Sequence, residues 1–67
     1  MPQYSITVIT KTGKMVGTSW FDKAPQARKY MKRKLKNLGE EPKTIYMFVW
    51  REGDTLKTVK KRKLKKL

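Results

Sequence analysis

Thr44-Ile45-Tyr46-Met47-Phe48-Val49-Trp50-Arg51 is the stretch on which the fold turns. β-Branched and aromatic residues fill it, the composition of a strand. Successive side chains of a strand point to opposite faces, so Ile45, Met47 and Val49 share one face and Tyr46, Phe48 and Trp50 the other. Both faces are apolar, the pattern of a strand covered on both sides. A single helix can cover only one of them. If it covers Ile45, Met47 and Val49, the aromatic row is left open.

The chain before this strand supplies that helix. Ala24, Ala27, Met31, Leu35 and Leu38 are spaced three, four, four and three apart, one face of an α-helix over 23–38. Asp22 reads as its N-cap, and Pro25 fits the first turn. Gly39 reads as the C-terminal cap, and Pro42 blocks continuation. Earlier still, Tyr4, Ile6 and Val8 alternate with Ser5 and Thr7 in a strand over 4–10. Lys11, Thr12, Gly13 and Lys14 form a turn in which Gly13 supplies a positive φ, and 15–21 returns as the second strand, with a bulge or close approach at Gly17.

After the key strand, Glu52, Gly53 and Asp54 form a turn. Thr55 to Lys60 reads either as a fourth strand carrying Leu56 and Val59 or as a short basic helix, and periodicity does not separate the two. The run Lys60 to Leu67 is too charged to pack and is expected to be frayed. The expected organisation is one α+β domain over 1–60, a small two-layer β-β-α-β-β unit with an antiparallel sheet and one helix packed on one face, followed by a basic flexible C-terminal tail over 61–67.

Composition narrows the chemistry. The 67 residues hold 18 Lys or Arg, five Asp or Glu and no His or Cys, a net charge of +13. Missing His removes the commonest general base, and missing Cys removes disulfides and thiolate metal sites. The acids are explained by capping at Asp22, a loop at Glu40 and Glu41, and a turn at Glu52 and Asp54. No phosphate loop, nucleophile elbow or paired catalytic acids can be read, so a non-catalytic protein without metal or cofactor is expected. The longest apolar run, Ile45 to Trp50, is far short of the about twenty residues of a membrane span, and no transmembrane or signal segment is expected.

Self-repulsion at +13 weakens a compact fold, and a polyanionic partner relieves it. Arg28, Lys29, Lys32, Arg33 and Lys36 lie away from the apolar helix face, with no acid between Lys23 and Asn37 to offset them. Like charges at i,i+4 destabilise a helix, so a stripe left this bare points to phosphates rather than to an ordinary solvated face. Lys34, at the stripe's edge, is expected to snorkel. Lys60, Lys61, Arg62 and Lys63 begin a basic arm of the kind that folds on contact with phosphates, and Leu64 and Leu67 in the same arm also fit insertion into an anionic membrane surface. Lys11 and Lys14 beside the Gly13 turn add a weaker contact. Tyr46, Phe48 and Trp50 read as core or as the interface of a homodimer, and, if uncovered, as a platform for stacked bases. Trp20 and Tyr30 are weaker candidates.

The leading expectation is therefore a small basic nucleic-acid-binding protein. DNA is slightly favoured over RNA, because a rigid basic helix and a flexible arm suit grooves. Gln26 and Asn37 are the helix residues able to read base edges, so little sequence preference is expected. The main alternative is a regulator or inhibitor that docks on an acidic surface of a larger enzyme through its apolar sheet face. The location expected for such a chain is intracellular, in the cytoplasm or nucleoid, or in the nucleus of a eukaryote.

Overall fold

A computed structural model describes residues 2–51 and 58–67. The order is β1 (Gln3–Thr10), β2 (Met15–Gly17), α1 (Ala24–Leu38), β3 (Pro42–Arg51) and β4 (Thr58–Leu64). The strands form one antiparallel sheet in the order β2-β1-β3-β4, with the helix against one face. This is the small α+β unit expected from the sequence.

Register decides which residues meet the helix. β1 pairs with β3 so that Ile6 lies opposite Met47 and Val8 opposite Ile45. Residues directly opposite each other share a face, so these four form one apolar floor. Ala27, Met31 and Leu35 of α1 close over it, with Val16 completing the core and Tyr4, Phe21, Ala24, Val49, Leu64 and Leu67 packed around it. Ile6, Val8, Ala27 and Met31 are wholly shielded from solvent. Each large apolar side chain buried this way contributes about 1.5–3 kcal/mol.

The helix begins one residue later than a cap at Asp22 requires. Lys23 is extended and holds the N-cap position without a side-chain hydrogen bond, with Pro25 in the first turn. Its carbonyl already accepts from the Gln26 and Ala27 N–H groups (3.1 and 3.4 Å), while Phe21 is tied to Tyr4 by paired backbone bonds. Asp22 is therefore part of the connection and not the cap. At the other end Gly39 is left-handed (φ 67°), and its N–H donates to Lys36 O (3.2 Å), ending the helix as expected.

The second strand is shorter than 15–21. Regular pairing stops at Gly17, which lies opposite Thr7, and resumes at a single bridge between Phe21 and Tyr4. Between those points Ser5 and Ile6 face Thr18, Ser19 and Trp20, one residue too many for a regular ladder, which is a bulge. Thr18 repairs the gap: its Oγ1 accepts from the Ile6 N–H (2.9 Å), and its own N–H donates to Ile6 O (3.0 Å). Pro42, expected only as a stop signal, opens β3. The first residue of a strand is one of the few places a sheet accepts proline.

The basic C-terminal run is a strand and not a flexible tail. β4 pairs with β3 from Thr58 opposite Arg51 to Leu64 opposite Ile45. Backbone pairing is indifferent to side-chain charge, and lysines are normal on an edge strand, where they discourage pairing with another chain. Leu64 and Leu67 pack on the core instead of projecting as a membrane anchor. The expected turn at Glu52–Asp54 and residues 55–57 lie outside the described residues, while 58–60 belong to β4, in line with the strand alternative for this segment. Among the described residues no helix is long and apolar enough to cross a membrane.

Candidate nucleic-acid interface

The helix and β4 together sort the cations by face. Lys29, Lys32, Arg33 and Lys36 are exposed on α1, while Arg28 is half-buried beside the Ala27–Met31–Leu35 stripe. Lys34 marks the flank of α1 nearest β2. Its ammonium donates to Gly17 O (3.1 Å) and lies 5.9 Å from the Tyr30 ring centroid. On the same flank Tyr30 tilts against Phe21, with centroids 5.5 Å apart. Given the sheet order, the opposite flank of α1, with Arg28, Lys32 and Lys36, is turned toward β4.

Alternation along β4 divides its basic run. Lys60 is opposite Val49 and Arg62 opposite Met47, so both project on the helix side. Lys61 is opposite Phe48 and Lys63 opposite Tyr46, so both project on the far side. All four are exposed. The helix stripe and half of the supposed tail therefore share one cationic side of the molecule, formed by Arg28, Lys29, Lys32, Arg33, Lys36, Lys60 and Arg62.

Two shallow hollows flank Tyr30 at the edge of α1 nearest β2. One is lined by Phe21, Gln26, Lys29 and Arg33, and the other by Arg33, Lys34 and Asn37. Arg33 borders both. Each hollow sets one amide, Gln26 or Asn37, beside cations and one edge of an aromatic ring. Tyr30 is thus more central than its position at the edge of the stripe suggested. The sequence signal was its spacing: Gln26 is four residues before it, and Arg33 and Lys34 three and four after, so all surround it on one helix surface.

The two acids of the loop after α1 are placed elsewhere. Glu41 pairs with Lys11 (2.8 Å), and Glu40 pairs with Lys14 (3.5 Å) while accepting from the Thr12 hydroxyl (2.8 Å). The loop after α1 thereby clasps the β1–β2 turn. The hydrogen bond from Lys11, reinforced by its charge, lowers the Glu41 carboxyl from its ordinary value, and the same contact raises Lys11. Lys11 and Lys14 are thus partnered within the protein. Among the described residues, no carboxylate pairs with a cation of α1 or β4.

The other face of the sheet carries Tyr46, Phe48 and Trp50, all half-buried. The helix packs on Ile45 and Met47, so the sequence-based condition for an open aromatic row is met. The row is bordered on one side by Lys63, Lys61 and Val59 of β4 and on the other by Thr7, Ser5 and Gln3 of β1. The Lys61 ammonium lies 4.2 Å from the Tyr46 ring centroid. Trp20 is exposed in the bulge. No known protein family, curated protein or solved structure matches the chain.

Proposed function

We propose that the protein is a non-catalytic nucleic-acid-binding protein that holds a phosphate backbone against its helix side. One observation carries this reading: Arg28, Lys29, Lys32, Arg33, Lys36, Lys60 and Arg62 share one side, and no described carboxylate pairs with any of them. Uncompensated charge of this density destabilises the free protein and is relieved by an anionic chain, whose condensed counterions are released on contact.

The expectation that favoured DNA rested partly on a flexible arm. With the basic run folded into β4, that support is gone, and the phosphate chemistry common to DNA and RNA remains. Gln26 and Asn37 lie beside the cations and offer hydrogen bonds to a base edge or a sugar, but two amides give little discrimination.

The test is fluorescence anisotropy with labelled duplex DNA over a salt series. Seven cations on one side support about 5–7 phosphate contacts, so log affinity should fall against log salt with a slope of about −4.5 to −6. The variant Lys29→Glu/Arg33→Glu/Lys36→Glu, altered only at exposed positions, should lose binding while keeping its circular dichroism. A folded triple variant that binds as tightly as the wild type would refute the assignment of the helix side.

A further inference from the structure

We propose that the uncovered sheet face is a second, separate binding site that takes the unpaired bases of a single strand, stacked on Phe48 and Trp50. This deepens the nucleic-acid reading and depends on it. No described element covers this face, and its composition is unusual for a wetted surface. β1 contributes polar Gln3, Ser5 and Thr7 there, whereas β3 contributes three consecutive rings. Half-buried aromatic rows bordered by cations still offer ring faces and suit bases joined by phosphates, because every base has a stacking face and every linkage a charge.

The geometry distinguishes the three rings. Tyr46 already carries the Lys61 ammonium over its ring, at 4.2 Å from the centroid. Among the described residues, no cation lies over the Phe48 or Trp50 ring. A base on Phe48 lies directly across from Lys61, and Lys63 stands one step further along the same strand face. The two lysines therefore border the row where the phosphates of a strand running along β3 would pass. On the opposite border, Gln3 beside Trp50 presents an amide to a base edge. Ser5 does not contribute in the same way, because its hydroxyl donates to Thr18 O (3.0 Å).

Spacing argues for a flexible single strand. Rings two residues apart on a strand are about 7 Å apart. Bases stacked within a nucleic-acid strand are about 3.4 Å apart. One base per ring therefore requires the bases to separate from one another, which a duplex forbids and a strongly self-stacked strand resists. Pyrimidine runs should bind better than adenine runs for this reason. A second copy of this chain is the less favoured occupant. Pairing two such faces would bring Lys61 and Lys63 of each copy together, on molecules already carrying +13 each.

The experiment compares oligo-dT, oligo-dA and duplex DNA in anisotropy titrations at low salt, using the full chain. Wild type should bind oligo-dT more tightly than oligo-dA. Phe48→Leu and Trp50→Leu keep an apolar side chain but remove the ring, and each should weaken oligo-dT binding about 5- to 100-fold. Duplex affinity should stay within about twofold, since the helix side is untouched. Phe48→Tyr should restore oligo-dT binding. In a Trp20→Phe background, saturation with oligo-dT should quench the remaining Trp50 emission, a readout that stands even if a leucine variant fails to fold.

Folded leucine variants that hold oligo-dT like wild type, or Trp50 emission unchanged at saturation, would overturn the second site. So would sedimentation showing a wild-type dimer that Phe48→Leu breaks, which would assign the face to a second copy. If wild type binds duplex with the expected salt slope but shows no preference for oligo-dT, only this inference fails. If it binds no polynucleotide at all, the broader reading fails with it.

Discussion

Replacing Lys32 by Glu should stabilise the free protein while weakening its hold on nucleic acid. Lys32 is exposed near the middle of α1. It has like-charged neighbours at Arg28 and Lys36, four residues away on either side, and at Lys29, three residues away. Each like-charge pair costs about 0.2–0.5 kcal/mol, so the three together amount to about 0.6–1.5 kcal/mol. Glutamate removes all three repulsions and turns them into attractions. Its pairing with Lys36 has the favoured order, acid before base. Lys and Glu have nearly equal helix propensity, so the backbone contribution cancels. Counting only the repulsion removed, a gain of about 1 kcal/mol corresponds to a rise of about 4–8 °C in Tm for a domain of this size. The opposite sign is expected for binding. Loss of one phosphate contact lowers duplex affinity about tenfold near 0.1 M salt, since each contact contributes about 0.9 to the logarithmic salt slope.

Thermal melts by circular dichroism, at low salt and again near 1 M salt, check the first half, and anisotropy checks the second. The stabilisation should shrink as the Debye length falls from about 10 Å to about 3 Å. Added duplex should raise the Tm of wild type more than that of the variant, because the stabilisation from a ligand grows with the logarithm of its affinity. An unchanged or lower Tm at low salt would refute the premise that the helix stripe carries unrelieved repulsion. A gain that persists undiminished at high salt would refute its electrostatic origin.

Thr18→Val should destabilise the fold by about 1–3 kcal/mol, because it leaves the Ile6 N–H without its acceptor (now at 2.9 Å) at nearly constant volume; Thr18→Ser should largely restore Tm. Gly39→Ala should cost about 1 kcal/mol, read as a fall in Tm: an added Cβ meets no atom within 4 Å, so the penalty is the left-handed φ of 67° alone. The Lys11–Glu41 contact sets a pH dependence with a definite sign. The carboxyl is lowered in the folded state, so its contribution is complete at neutral pH and is lost on acidification below the ordinary glutamate value of about 4.3. Lys11 is raised, so its contribution is lost only when pH climbs past the ordinary lysine value of about 10.4. Glu41→Gln should flatten the acid limb of a Tm-against-pH curve. Nucleic-acid affinity should be level from about pH 6 to 8, because the chain has no imidazole to charge.

What the sequence disclosed follows the strength of its periodicities. The helix was legible because Ala27, Met31 and Leu35 repeat at helical spacing and Gly39 supplies the left-handed cap. The third strand was legible because eight residues of strand composition run without interruption. Two features were hidden by longer-range geometry. The bulge at Thr18–Trp20 depends on where β1 lies, and Thr18 replaces a backbone partner with its own hydroxyl, which no local pattern announces. Likewise the extent of β4 was hidden by its composition, since a fourth strand was read only as one alternative and only as far as Lys60. Lys60 to Lys63 resemble a disordered arm, yet β3 offers a complete backbone edge, and Leu64 and Leu67 anchor the strand on the core. Of the candidate site, the cation types were readable, but their division between two faces required the β3–β4 register.

That division bears on how a fold this small can hold two chemistries. One helix can shield one side of a four-stranded sheet, and the other side must meet solvent or a partner. If solvent alone had shaped the exposed side, β3 would be expected to follow β1 and place polar residues there, as Gln3, Ser5 and Thr7 do. Strand propensity does not explain the contrast, because threonine and valine satisfy it without three rings. Core packing does not explain it either, because Ile45 and Met47 on the reverse side already meet the helix. The rings also sit next to Lys61 and Lys63, whose charges make a dry apolar contact unfavourable and a contact with alternating rings and charges favourable. The helix side has the complementary character, with seven cations and, among its exposed rings, Tyr30 bordered by Gln26, Asn37 and Arg33. On the proposed reading, phosphates meet one side and bases the other. A strand held on one side does not obstruct a backbone held on the other, because the thickness of the sheet and helix stands between them.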